Sequence, residues 1–377
     1  METAILNINA LQVAELENYL GCELPTLNLV EGIDDPNAAI VYPIMLEDRL
    51  AVIFEIPNAE QPSTLSYWET PIPRETVDAT LKGLRANLAI AHNTPEVIDA
   101  SQQVYQWLIQ PLEPFLEASD RVETLVFVLD GALRNIPMAV LHDGERYLVE
   151  QGYGLAVAPR LELFSPRASS SPEIRVATGG VSIPQVIEGT PFPAIEKVGE
   201  ELSRIAERID TSEPLLDANF TAANIQQQLQ AGTFSAIHWK THGVFSSDPQ
   251  ETFLVAFNER ITAKDLNAIV QTSIRKGTQP LELLVLSACE TALGDDRAVL
   301  GLAGIAARTG ARSVLATLWT AQDEPNTEFM ARFYEELSKP GVTKARALQQ
   351  AQLALIQKHG YTTPYIWANY TLVGNWL

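Results

Sequence analysis

The chain has 377 residues, 46% hydrophobic and 19% charged, the balance of a globular protein with one large core or two to three smaller ones. Its net charge of −21 repels phosphate backbones and anionic lipid headgroups, which excludes nucleic acid and membrane surfaces as expected partners and favours basic polypeptide segments. Two cysteines, Cys22 and Cys289, cannot build a disulfide framework; with no basic signal region and no apolar run of about 18 residues, a reducing, cytoplasmic location is expected.

Apolar residues at helical spacing over 11–20, ended by Gly21, predict a helix within a leading segment 1–34. Two extended apolar runs within 38–56, parted by Glu47 and Asp48, predict a β-hairpin, and the Pro-rich stretch 57–74 reads as loop. Helices are expected at 75–92 and 95–118, the second with Val97, Val104, Leu108 and Leu112 at its apolar positions. Leu125–Leu129 reads as a buried strand and Tyr147–Val157 as further extended structure. The polar run from Pro166 to Pro172 is the expected linker, 166–173, between an α/β unit at 35–165 and a second unit at 174–377.

In the second unit a strand from Ile174 leads into Gly179 and Gly180, a pair too short to be a phosphate-binding loop. Helices follow at 193–209, where Ile195, Val198, Leu202 and Ile205 share a face, and at 222–230. Beyond two very apolar strands come a helix at 298–309 ended by Gly310 and a strand from Ser313 to Leu318. Helices at 324–338 and 344–358, the latter capped by Thr343, precede a closing strand over Trp367–Val373. Alternation of strands and helices implies an α/β fold, a mainly parallel sheet covered by helices on both faces. The segment Leu125–Ala132 echoes Leu284–Thr291, so the first half reads either as a degenerate scaffold copy of the second or as an ordinary buried strand and turn.

Those two apolar strands run into His242-Gly243 and Ala288-Cys289-Glu290, and in open α/β sheets reactive groups collect beyond the carboxyl ends of strands. His242 precedes Cys289 by 47 positions, near the roughly 50-residue His-before-Cys separation of caspase-type enzymes. A thiol is only partly ionised at neutral pH, and an adjacent imidazole can take its proton and return it to a leaving amine. Cys289 is thus the candidate nucleophile and His242 the acid/base, with the backbone N–H groups of Gly243 and Cys289 as oxyanion donors. The competing reading of Cys289 is a small buried core residue. His238 lies inside its strand and reads as a satisfied core residue or one behind the site, with the role of base in place of His242 as its alternative, while His92, His142 and His359 belong to no constellation. His238 and His242 would share a face only on a helix, so neither a metal nor a cofactor is expected.

Together with Trp319–Asp323 and Trp367–Gly374, these motifs resemble the CHAT peptidase family, caspase-like proteins often fused to tetratricopeptide repeats. The resemblance spans roughly residues 35–377 and implies a caspase–separase fold and endopeptidase activity from His242 and Cys289; on the internal echo, the half before the catalytic one is read as a pseudo-caspase-like scaffold. No helical repeat of roughly 34 residues is visible, so either the usual repeat array belonged to a longer parent or the protein acts without it; the candidate partners are a protein or peptide substrate and a tetratricopeptide-repeat region or regulatory partner. Asp295, Asp296, Asp323 and Glu324 are the carboxylates best placed to select a basic substrate residue, though a helix cap or a solvated loop explains them equally well. Two alternatives stand beside the peptidase: an interaction or signalling module with an idle or gated dyad, and an acyltransferase using the same thioester chemistry.

Overall fold

A computed structural model describes residues 1–20, 35–57, 64–92, 94–158, 174–245, 250–274, 281–287, 304–305 and 309–377. Helix α1 (Glu2–Leu20) begins well before the predicted 11–20 and packs on the first half, where Gln12 Nε2 donates to Leu129 O at 3.2 Å and Glu15 pairs with Arg134 at 2.8 Å. Strands β1 (Ala38–Met45) and β2 (Leu50–Ile56) form the predicted hairpin. The stretch read as loop contains a third strand, β3 (Thr64–Thr70), antiparallel to β2. Its four nearby prolines, Pro57, Pro62, Pro71 and Pro73, bracket the strand rather than interrupt it. As β3 lies at the sheet edge with Tyr67 and Trp68 half exposed, it carries no alternating apolar signal.

Helix α2 (Arg74–Leu88) buries Val77, Leu81, Leu84 and Leu88, one stripe at helical spacing. Helix α3 (Thr94–Leu108) stops short of the predicted 118, because Pro111 and Pro114 divide the remainder into a 3-10 turn and α4 (Glu113–Glu117). Strand β4 (Thr124–Phe127) follows; a 3-10 turn at Leu148–Gln151 then confines the extended structure to β5 (Gly154–Val157).

The predicted linker and most of the predicted helix 298–309 lie outside the described residues. Strand β6 (Arg175–Gly180) leads into a hairpin, β7 (Gln185–Ile187) and β8 (Thr190–Phe192), and then α5 (Val198–Ala206). This helix is shorter than predicted because Lys197 adopts a left-handed φ of 56° at its start, leaving Ile195 buried but outside the helix. Next come β9 (Asp210–Thr211), β10 (Leu215–Leu216), α6 (Ala222–Ala231), β11 (Ala236–Lys240), β12 (Gly243–Val244), β13 (Phe253–Ala256), β14 (Glu259–Thr262) and α7 (Ala263–Ile274). The chain closes with β15 (Leu283–Ser287), β16 (Ser313–Thr317), α8 (Asp323–Leu337), α9 (Lys344–Ile356), α10 (Pro364–Trp367) and β17 (Tyr370–Gly374). Thr343 caps α9 as predicted, accepting from Arg346 N–H at 3.1 Å.

One 12-stranded sheet runs β10-β6-β11-β15-β16-β17-β5-β4-β1-β2-β3, with β9 beside β6. Its pairs are parallel except β16–β17 and the β1–β2–β3 meander, so β6, β11, β15 and β16 all open their carboxyl ends at one edge. Along β11 the side chains alternate between faces: Ile237 and Trp239 pack into a core with Ile225 of α6 and Leu266 of α7. Ala236 faces the other core, with Leu202 of α5, Phe329 of α8 and Leu348 of α9. Helices therefore cover both faces, as the alternating pattern implies.

Candidate active site

At the end of β11 the backbone leaves the large sheet. Thr241 N–H still donates to Ser287 O at 3.2 Å, but the Thr241 hydroxyl donates to Val255 O, and Val255 N–H donates to His242 O at 2.9 Å. His242 thus sits where the chain passes from the large sheet to the small one formed by β12, β13 and β14. Its Nε2 lies 2.8 Å from the carbonyl oxygen of Pro193. A carbonyl can only accept, so Nε2 carries a hydrogen, and in the neutral imidazole Nδ1 is the acceptor nitrogen. That Nδ1 is buried and has no hydrogen-bond partner among the described residues. The Phe192 ring packs on the imidazole, centroids 5.5 Å apart, and limits its rotation. Sequence reasoning missed both neighbours, since Pro193 acts through a carbonyl oxygen that every residue possesses.

The register of the parallel pair sets Lys240 opposite Ser287. His242 follows one of these residues by two positions and Cys289 follows the other by two. Cys289 lies outside the described residues, as do Cys22, Asp295 and Asp296. Gly243 is opposite Leu254 in the small sheet, and the bond from Val255 N–H to His242 O makes that a non-hydrogen-bonded pair, which turns the Gly243 N–H away from β13. A Cβ at this position would stand 3.0 Å from both Leu254 Cδ2 and the Phe245 ring, so a larger residue would require these side chains to give way by a few tenths of an ångström.

Behind the strand ends, between the sheet and helices α5 and α8, lies a buried polar cluster. His238, Lys240, Ser287 and Glu201 are all 0% exposed. His238 bonds Glu201 Oε1 at 3.0 Å through Nε2 and faces the Tyr334 hydroxyl at 3.2 Å through Nδ1. Burial alone would raise the Glu201 carboxyl, but the Lys240 charge and the His238 hydrogen bond hold it down to about 2. Burial, reinforced by the Glu201 charge, keeps the Tyr334 phenol well above its ordinary range, so it remains a donor.

Of the acidic candidates, Asp323 begins α8 with Oδ1 3.3 Å from Lys240 Nζ, while its Oδ2 accepts from Glu196 N–H at 3.2 Å. Glu324 pairs with Lys197. His142 is buried elsewhere, accepting from Gly144 N–H at 3.0 Å, and His92 and His359 are exposed. Among the described residues no group of three or more His, Cys, Asp or Glu side chains is arranged to hold a metal ion, and no helix is long and apolar enough to cross a membrane.

A mainly parallel sheet flanked by helices on both faces defines an α/β protein. The structure aligns with a chain of the Saccharomyces cerevisiae separase–securin complex at a TM-score of 0.54 and 10% identity, covering 96% of this chain and 30% of that one. A weaker likeness, TM-score 0.41 and 10% identity, relates 80% of this chain to 75% of the Arg specific cysteine proteinase gingipain R. At such identity the separase likeness defines the fold alone, and no curated protein sequence matches the chain. Residues 99–375, well over half the sequence, match the CHAT domain, and the chain belongs to that family of caspase-like proteins.

Proposed function

We propose that the protein is a cysteine endopeptidase with Cys289 as nucleophile and His242 as acid and base. The observation that carries this reading is the buried Nδ1, without a hydrogen-bond partner among the described residues, of an imidazole whose Nε2 is committed to Pro193 O. Such a lone pair lacks only a donor, and the Lys240–Ser287 register supports a thiol two residues beyond Ser287 as that donor.

In the proposed reaction Nδ1 accepts the thiol proton and the thiolate attacks the substrate carbonyl carbon, forming a C–S bond. The backbone N–H groups of Gly243 and Cys289 receive the developing oxyanion. Nδ1 then returns the proton to the amine as the C–N bond breaks, and water, deprotonated by the same imidazole, releases the acid and the free thiol. Pro193 O stabilises the imidazolium through its bond to Nε2–H.

Asp295, Asp296, Asp323 and Glu324 remain the candidate selectors of a basic residue before the scissile bond. A substrate cation at Asp323 or Glu324 would compete with Lys240 or Lys197, so these carboxylates serve selection only if that pairing is exchanged. The first half acts as a non-catalytic scaffold, and the reducing cytoplasm suits a free thiol. The neighbouring separase was solved with securin, which supports a regulatory protein partner here.

The test is mass-spectrometric mapping of cuts made by the purified chain in a denatured peptide library, beside Cys289→Ala and His242→Ala. Cuts lost in both variants, clustered after Arg or Lys, are expected. A folded wild-type chain that makes no cuts would turn the reading to an interaction module whose dyad is idle or gated by a partner.

A further inference from the structure

Glu201 is the hub of the buried cluster. Oε1 accepts from His238 Nε2 at 3.0 Å and from Ser287 Oγ at 2.9 Å, and Oε2 accepts from Lys240 Nζ and Asn326 Nδ2, both at 2.8 Å. Four donors fill the capacity of one carboxylate. They come from β11, β15 and α8, and Lys240 and Ser287 are the registered pair that ends the two motif strands. Asn326 further donates to Ser287 Oγ at 2.8 Å and accepts from the Tyr370 hydroxyl at 2.6 Å, which adds β17 to the cluster.

The same carboxylate is joined by a short stretch of chain to the segment that orients His242. Pro193 O receives His242 Nε2–H; three residues on, Glu196 N–H binds Asp323, whose other oxygen meets Lys240; Glu201 lies one turn into the helix that follows. Lys240 is therefore held from both sides by the elements that fix the imidazole two residues beyond it.

An ionic cluster is a poor way to stabilise a core. Desolvating the charges is costly, and apolar residues of similar volume are often as stabilising or more so. The surrounding face is otherwise filled by Leu202, Ile205, Val285, Phe329 and Phe333. What the carboxylate supplies that leucine cannot is directional bonds to two strand ends at once.

We propose that Glu201 is a positioning residue, holding the ends of β11 and β15 at a fixed spacing so that His242 keeps Nε2–H on Pro193 O and its Nδ1 in a fixed orientation. The proposal rests on the peptidase reading. Glu201→Gln leaves the Lys240 ammonium facing a carboxamide, so the informative comparison adds Glu201→Gln/Lys240→Met, which removes the orphaned charge. Three quantities are measured: unfolding temperature, kcat and KM on a peptide identified by the cleavage map, and the His242 imidazole N–H proton by NMR.

The double variant is expected to regain stability over the single one, to keep KM, to lose kcat by roughly 100-fold, and to show a shifted or exchange-broadened His242 N–H. If it recovers kcat together with stability, and its His242 resonance matches wild type, Glu201 is merely structural and the proposal fails. The resonance does not depend on cleavage. An inactive wild-type chain therefore sinks the peptidase reading, and the resonance alone then decides: unchanged in a folded double variant it overturns the positioning role, displaced it sustains it.

Discussion

The two nitrogens of His242 have different fates, and the difference is set by one carbonyl oxygen. Because the Nε2–H is committed to Pro193 O, Nδ1 is the nitrogen that the proposed reaction uses for proton transfer. Glu201 shows how strongly neighbours can overrule burial: its carboxyl ionises at about 2 in the fold against an ordinary 4.5. Because the folded value is the depressed one, its stabilisation is complete above about pH 4.5 and fades as pH falls toward 2. The unfolding free energy of wild type should therefore exceed that of Glu201→Gln by roughly 3 kcal/mol near neutrality, and the gap should close on acidification. Urea titrations at a series of pH values measure this; a gap independent of pH would mean that the charge is not what stabilises the cluster.

At the scale of elements, the tip of β6 decides how closely its neighbours approach. A Cβ on Gly180 would lie 2.2 Å from Lys240 O and 2.9 Å from Val198 Cγ1, and one on Gly179 would lie 2.7 Å from the Phe220 ring. This glycine pair thus lets β11, α5 and Phe220 close onto the sheet. Since Lys240 O is backbone, it can yield only by moving β11, and overpacking of this kind costs about 1–3 kcal/mol. Gly180→Ala should lower the unfolding temperature and, by displacing the strand that carries His242, depress kcat more than KM. Wild-type values of both would show that the strand ends shift freely. Local breakers also set the helix lengths: Pro111 and Pro114 curtail α3, and the left-handed Lys197 delays α5.

At the scale of the molecule, the sheet is continuous from β10 to β3, joined through β17, which is antiparallel to β16 and parallel to β5. One apolar core holds Ile40 and Leu125 together with Leu315 and Tyr370. Trp376 near the carboxyl end donates to Asp35 Oδ2 at 2.6 Å, tying the last strand to the start of the first half. Cooperative unfolding in a single transition is expected. Leu125→Ala, which empties a fully buried position in β4, should cost about 2–5 kcal/mol and destabilise both halves together. Equilibrium urea curves followed by far-UV circular dichroism and tryptophan fluorescence should coincide, and a second transition would show that the halves unfold independently.

Much of this organisation is written locally. Apolar runs mark β15 and β16 as strands buried on both faces, the Ala236-Ile237 start and Trp239 mark β11 despite its His238 and Lys240, helical spacing and the Thr343 hydroxyl mark α8 and α9, and the His-Gly after β11 marks a strand end. These features depend on residues within a few positions of one another, so the sequence by itself determines them. It does not determine β3, whose edge position removes the apolar alternation, nor the place of Glu201, which in sequence is one of two adjacent glutamates early in an amphipathic helix. Pro193 is 49 positions from His242 and Asn326 is 125 from Glu201. Only the tertiary structure decides those pairings, because strand order, register and a backbone carbonyl's direction depend on which distant segments pack together, and hydrophobic periodicity records that a side chain is buried without recording against what.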